Sequence, residues 1–108
     1  MLAQRGPASL TVPLRYTGSE PLVDLEVTVS GEHVTDVGDR GGMFDGKVAN
    51  MGDVVLGENV VLSVRTDGTA GPLTVTVDLR AAGGEACRLV VESKGFGQPV
   101  RVTQQPAD

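Results

Sequence analysis

The sequence predicts an all-β domain, a sandwich of seven or eight short antiparallel strands. Three observations carry this. Apolar residues recur with period two in one stretch after another, which is the mark of a strand with one buried face. Clusters of Gly, Asp, Asn and Pro interrupt those stretches at intervals of roughly 8–12 residues, as tight turns between strands require. No segment holds helical apolar spacing for the ~10 residues a stable helix needs.

Leu10, Val12, Leu14 and Tyr16 alternate with Thr11, Pro13 and Arg15. Pro13 has no N–H to donate, so its strand is expected at an edge or beside a bulge. After the turn residues Thr17 to Pro21, Val23, Leu25, Val27 and Val29 alternate with Asp24, Glu26, Thr28 and Ser30, which predicts a strand over Leu22–Ser30. A short extended piece from His33 to Val37 precedes the loop Gly38 to Gly42, and a weak strand is expected at Lys47–Asn50. Val54 to Leu56 leads through Gly57 into Val60, Leu62 and Val64. Leu73, Val75, Val77 and Leu79 alternate with Thr74, Thr76, Asp78 and Arg80 as cleanly as the second stretch does, and both are expected at the centre of a sheet. Gly83-Gly84 joins this strand to Ala86–Ser93. Val100–Thr103 adds one more, and the tail Gln104–Asp108 is expected to fray. A small barrel is the alternative closure; the short, uneven strands favour a sandwich, in which each sheet covers the apolar face of the other.

At 108 residues the chain makes one domain, with an ordered core expected over about residues 9–103. Val and Leu together fill 28 positions and Ile none, so the core is built from medium-sized aliphatic groups. Tyr16, Phe44 and Phe96 are the only aromatics, too few for a sugar-stacking platform or a base-stacking surface. The net charge of −5 and the scattered basic residues speak against nucleic acid, whose phosphates need clustered Lys and Arg. No apolar run reaches the ~18 residues that a membrane span requires, so direct membrane insertion is not expected. Met1 to Pro7 lacks the charged-then-apolar layout of a secretion signal, so the chain is either cytoplasmic or a piece of a longer exported one. Seven Arg against two Lys, with the missing Ile, point to a GC-rich bacterial source.

The order of the pieces resembles a family of bacterial immunoglobulin-like modules. The residues that carry the resemblance are Leu14-Arg15-Tyr16-Thr17-Gly18-Ser19-Glu20-Pro21-Leu22 and the strand to Gly31, then Val54-Val55-Leu56-Gly57-Glu58-Asn59-Val60-Val61-Leu62-Ser63-Val64, then Ala70-Gly71-Pro72-Leu73 onward. Over about residues 9–93 the chain is similar to the NEW3-type and CARDB-like domains appended to bacterial glycosidases, adhesins and surface proteins. Leu56 stands where family members usually carry Pro, and Tyr16 where they often have Asn. The resemblance implies an immunoglobulin-like β-sandwich, an extracytoplasmic location, no shared catalytic residues, and a role as spacer, scaffold or adhesion domain.

Few residues offer chemistry. Cys87 is the single cysteine, so no disulfide forms within the domain; it is expected to serve as a small buried hydrophobe, with an intermolecular link as the alternative. His33 is the single histidine, and a hydrolytic triad would need a nucleophile and an orienting acid to converge on it; Ser30 and Asp36 are near only in sequence. Asp36, Asp39 and Asp45, together with Asp53 and Asn50, make the best calcium candidates, since that ion wants six to eight oxygens and sandwich domains often gather carboxylates at one end, but their spacing fits no EF-hand and Asp is an ordinary turn former. Gly38-Asp39-Arg40-Gly41-Gly42 lacks the Lys and Ser/Thr of a phosphate loop. Arg40, Met43 and Phe44 are the candidate partner-binding residues: Phe44 either plugs the core or stands at a loop tip as an anchor.

The expectation is therefore a non-enzymatic structural or interaction module of a larger bacterial surface or secreted protein, without cofactor, meeting a protein partner or the neighbouring domains of its parent chain. A calcium-dependent or carbohydrate-binding accessory module is the alternative.

Overall fold

The computed structural model describes residues 4–84, 86–96 and 98–106. It holds eight strands of three or more residues and a two-residue β1 (Gln4–Arg5): β2 (Ser9–Arg15), β3 (Glu26–Ser30), β4 (Val34–Val37), β5 (Val48–Asn50), β6 (Asn59–Thr66), β7 (Leu73–Arg80), β8 (Ala86–Ser93) and β9 (Val100–Pro106). No helix occurs among the described residues. The strands form two antiparallel sheets, one in the order β1-β2-β6-β4 and the other β5-β3-β7-β8-β9.

The period-two pattern is spent on a single core between the sheets. Leu10, Val12, Leu62 and Val64 from the first sheet form one buried cluster with Val27, Val29, Val75, Val77 and Val91 from the second. Each of these sits one residue from a polar or outward-facing neighbour, because successive side chains in a strand point to opposite faces. β3 and β7 are interior strands, as their clean alternation predicts. Pro13 lies opposite Val61 of β6, and the described pairing of β1 reaches only Thr11 and Leu10, so among the described residues no strand lies on the other side of Pro13. Its missing donor costs no ladder hydrogen bond there.

Two expectations need correction. The strand predicted over Leu22–Ser30 begins only at Glu26. Asp24 adopts a left-handed backbone (φ 51°), and its N–H donates to the Asp53 carboxylate at 3.1 Å. Asp tolerates that conformation better than most residues. The turn shifts the phase, so Val23 is exposed while Leu22 faces inward and bridges to Val54. At the other end, Gln104–Pro106 are not frayed but continue β9 along β8, with Gln104 opposite Leu89 and Gln105 opposite Arg88. Their polar composition hid a strand that one sheet edge and a solvent-facing surface suffice to hold. Residues 107 and 108 lie outside the described residues.

Candidate functional site

The loop after β4 is built by its own polar groups. The Asp39 carboxylate accepts the N–H groups of Gly41 (2.9 Å) and Met43 (3.0 Å), an Asx-type turn. Arg40 pairs with Glu58 and donates to the Asp53 carbonyl at 3.0 Å, tying the loop to the segment before β6. Asp36 lies 4.0 Å from Arg65 and accepts the Thr35 hydroxyl at 3.1 Å. Asp45 is exposed in the turn before β5. The structure thus does not bring Asp36, Asp39 and Asp45 together, and among the described residues no three His, Cys, Asp or Glu side chains gather to hold a metal.

Phe44 takes neither of its two expected positions. Its ring lies against Gly38, where a Cβ would stand 3.0 Å from it, and the Arg65 guanidinium covers it at 4.0 Å from the centroid. It is half-buried and outside the core cluster. A cation–π contact of this exposure contributes about 0.5–1 kcal/mol, which fixes the loop on its sheet. Met43 beside it is 69% exposed. Of the predicted partner-binding trio, then, Met43 is free for contact, while Arg40 and Phe44 are engaged within the domain.

Between the start of β4 and the turn after β6, His33 Nδ1 meets the Asp67 carboxylate at 2.7 Å. The acid that meets His33 is not Asp36 but Asp67, 34 positions away. The pairing holds the Asp67 pKa below the usual carboxylate range, chiefly through the hydrogen bond from His33 and then the Thr69 N–H. Both side chains are open to solvent, and the pair ties the start of β4 to the turn after β6.

A concave feature lined mostly by aliphatic side chains lies where β2, β7 and β9 end and β6 and β8 begin. Here a half-open cleft of about 330 Å³ enters between the two sheets. Leu25, Val60, Leu79 and Leu89 line its depth, and Leu22, brought in by the left-handed turn at Asp24, lines it beside Val54. The cleft persists because its lining is Leu, Val and Ala, too short to close the gap where two twisted sheets diverge. Tyr16 is the one aromatic in the lining. Its hydroxyl donates to the Glu20 carbonyl, and its ring lies over Gly18, where a Cβ would fall 2.2 Å from the hydroxyl oxygen. The backbone of Tyr16 is held on both sides, by Glu58 (3.1 Å) and Gly57 (2.9 Å).

Three kinds of polar group touch the cleft: Arg15, the neutral Thr17 and Gln104, and Cys87. Among the described residues Arg15 is its only charged lining residue and forms no ion pair. Burial pushes the Cys87 thiol up from its ordinary value, opposed in part by a hydrogen bond with Gln104. Sequence reasoning assigned no function to these residues. Tyr16, Gly18 and Leu22 stand out only as turn grammar, and the one signal of the cleft, the change of phase at Asp24, looks like uninterrupted alternation when read along the chain.

Comparison with protein-family models, with curated proteins and with solved structures returned no match.

Proposed function

We propose that this chain is a non-enzymatic interaction module with an immunoglobulin-like sandwich, one domain of a larger bacterial surface or secreted protein, and that it takes up an apolar group of its partner at the open end of the sandwich. The observation that carries the reading is the half-open cleft of about 330 Å³, with Leu, Val or Ala at eight of its thirteen described lining positions. That volume is within the range of roughly 300–1,000 Å³ typical of sites for small molecules or single apolar groups. The polar loops, where contacts would otherwise be sought, spend their side chains on holding themselves.

The strand order supports the finer fold assignment. β1-β2-β6-β4 corresponds to the A-B-E-D sheet of a constant-type immunoglobulin domain and β3-β7-β8 to its C-F-G sheet. On this reading β5 and β9 are additions at the two edges of the second sheet. The resemblance of residues 9–93 to NEW3-type and CARDB-like modules points to the same architecture, and to a domain set among others in an exported chain. No helix among the described residues is long and apolar enough to cross a membrane.

Neutral octanol tests the binding reading. Saturable binding is expected, with a rise in Tm and slower alkylation of Cys87 by N-ethylmaleimide, since that thiol lines the cleft. Ala81→Leu, which places bulk into the cleft lining, should abolish both effects. Absence of saturable binding to the native protein would remove the reading.

A further inference from the structure

The cleft is apolar in depth and charged at one place only. In a domain of net charge −5, no carboxylate among the described residues lines it, and the single formal charge of its described lining is the guanidinium of Arg15. Of the other six arginines four are engaged, Arg40 with Glu58, Arg65 with Asp36 and the Phe44 ring, Arg88 with Asp78 at 2.8 Å, and Arg5 with Ser93, Thr69 and the Phe96 ring, while Arg80 and Arg101 form no ion pair among the described residues but lie outside the cleft lining. Arg15 has none of these partners. Its Nη2 lies 3.9 Å from where a Cβ on Gly57 would stand, so the side chain runs across the open end, beside the Tyr16–Gly57 hydrogen bond. An acceptor-poor aliphatic wall with one unpaired, always-charged fork at its opening matches a ligand that has an apolar tail and an anionic head.

We propose that the cleft is a binding site for a medium-chain aliphatic carboxylate, with the alkyl chain between the sheets and the carboxylate on Arg15. This rests on the reading of the cleft as the binding surface and names the group it takes. The cleft volume is at the small end of the range for ligand sites, which selects a medium chain over a long one. Guanidinium is the side chain best shaped for a carboxylate, which it grips through two parallel N–H donors. Thr17, two residues from Arg15, and Gln104 are further neutral donors in the lining. The acidic residues of this end, Glu20, Asp24 and Asp53, are not in the lining.

The test compares octanoate with octanol on the native chain and on Arg15→Gln, by isothermal titration calorimetry at neutral pH and by protection of Cys87 from N-ethylmaleimide. Octanoate is expected to bind about tenfold more tightly than octanol, the worth of one charge-assisted hydrogen bond. Arg15→Gln should bring the octanoate affinity down to that of octanol, and raised salt should weaken octanoate alone. Equal affinities of the native chain for octanoate and octanol overturn the carboxylate proposal and leave the cleft reading standing. Failure of both to bind overturns both. Octanoate binding that Arg15→Gln leaves unchanged also overturns the proposal, because the head group would then be held elsewhere. Arg15 is exposed, so its replacement leaves the core packing in place.

Discussion

Cys87 illustrates how one side chain reports on its surroundings. The thiolate is the form that reacts, and desolvation at the cleft wall raises the thiol pKa, so little thiolate is present at neutral pH. Alkylation of Cys87 should run slower than that of an unhindered thiol at pH 8, and its rate should keep climbing at pH values above the ordinary thiol range; a stopped-flow maleimide profile against a small thiol checks this. The His33–Asp67 pair makes a second residue-level prediction. The folded state holds the Asp67 carboxyl below its unfolded value, so the unfolded chain binds the proton more readily. The pair therefore contributes stability at pH values above the ordinary carboxylate range, and that contribution is lost as pH falls through the depressed pKa. Asp67→Asn should flatten the acid limb of a plot of urea midpoint against pH and lower the midpoint at pH 7. Gly31 is a third case. Its φ of +148° is rare for a residue with a side chain, and a Cβ would stand 2.6 Å from the Thr74 carbonyl oxygen. Gly31→Ala should cost about 1–3 kcal/mol in urea denaturation, by the strain such a conformation stores.

Among the elements, β6 is the one on which the first sheet depends. It pairs with β2 over its whole length and with β4 on its other side, and its inward residues Val60, Leu62 and Val64 are buried. Leu62 is fully enclosed, so Leu62→Ala should destabilise the domain by about 2–5 kcal/mol, measured by urea or thermal denaturation. That is a large share of the roughly 5–15 kcal/mol a domain commands, and partial unfolding at 37 °C is the expected result. β3 and β9 show where element-level reading succeeds and fails. The alternation of Val27 and Val29 marks β3 correctly. Its start is lost because Val23 and Leu25 share the same parity as the strand, although Asp24 turns the chain between them. β9 escapes at its C-terminal end because Gln104 and Gln105 are exposed and carry no apolar signal. An edge strand is held by the ladder of its neighbour, and backbone hydrogen bonds leave no trace in side-chain pattern.

At the scale of the molecule, the fold is dominated by pairings between distant segments. Ser9 lies opposite Arg65, and β3 lies between β5 and β7. Loop closure must precede such contacts, so folding is expected on a timescale of roughly milliseconds to seconds, slower than a helical bundle of this length; stopped-flow refolding from urea measures it. The same topology makes the cleft. Its lining is drawn from segments spread between Leu14 and Gln104, and no stretch of sequence contains enough of it to betray a site. The charge that distinguishes it is likewise a property of the assembly: of seven arginines, Arg40, Arg65 and Arg88 pair with carboxylates, Arg15, Arg80 and Arg101 form no ion pair among the described residues, and of those three only Arg15 is placed in the cleft lining.

What the sequence determined by itself is the all-β class, the strands β2, β6, β7 and β8, and the aliphatic character of the core. Those follow from local rules, in which alternation sets faces and Gly, Pro and Asp set turns. The division into sheets β1-β2-β6-β4 and β5-β3-β7-β8-β9 was decided by tertiary structure, because the same alternating strand satisfies many partners until packing selects one set. The fate of each polar residue was decided there too. Asp36, Asp39 and Asp45 are alike as carboxylates in a sequence, but their neighbours make one an ion-pair partner, one the anchor of a turn and one an exposed turn residue. Electrostatic and cavity properties depend on distance in space, and only the packed sheets fix those distances.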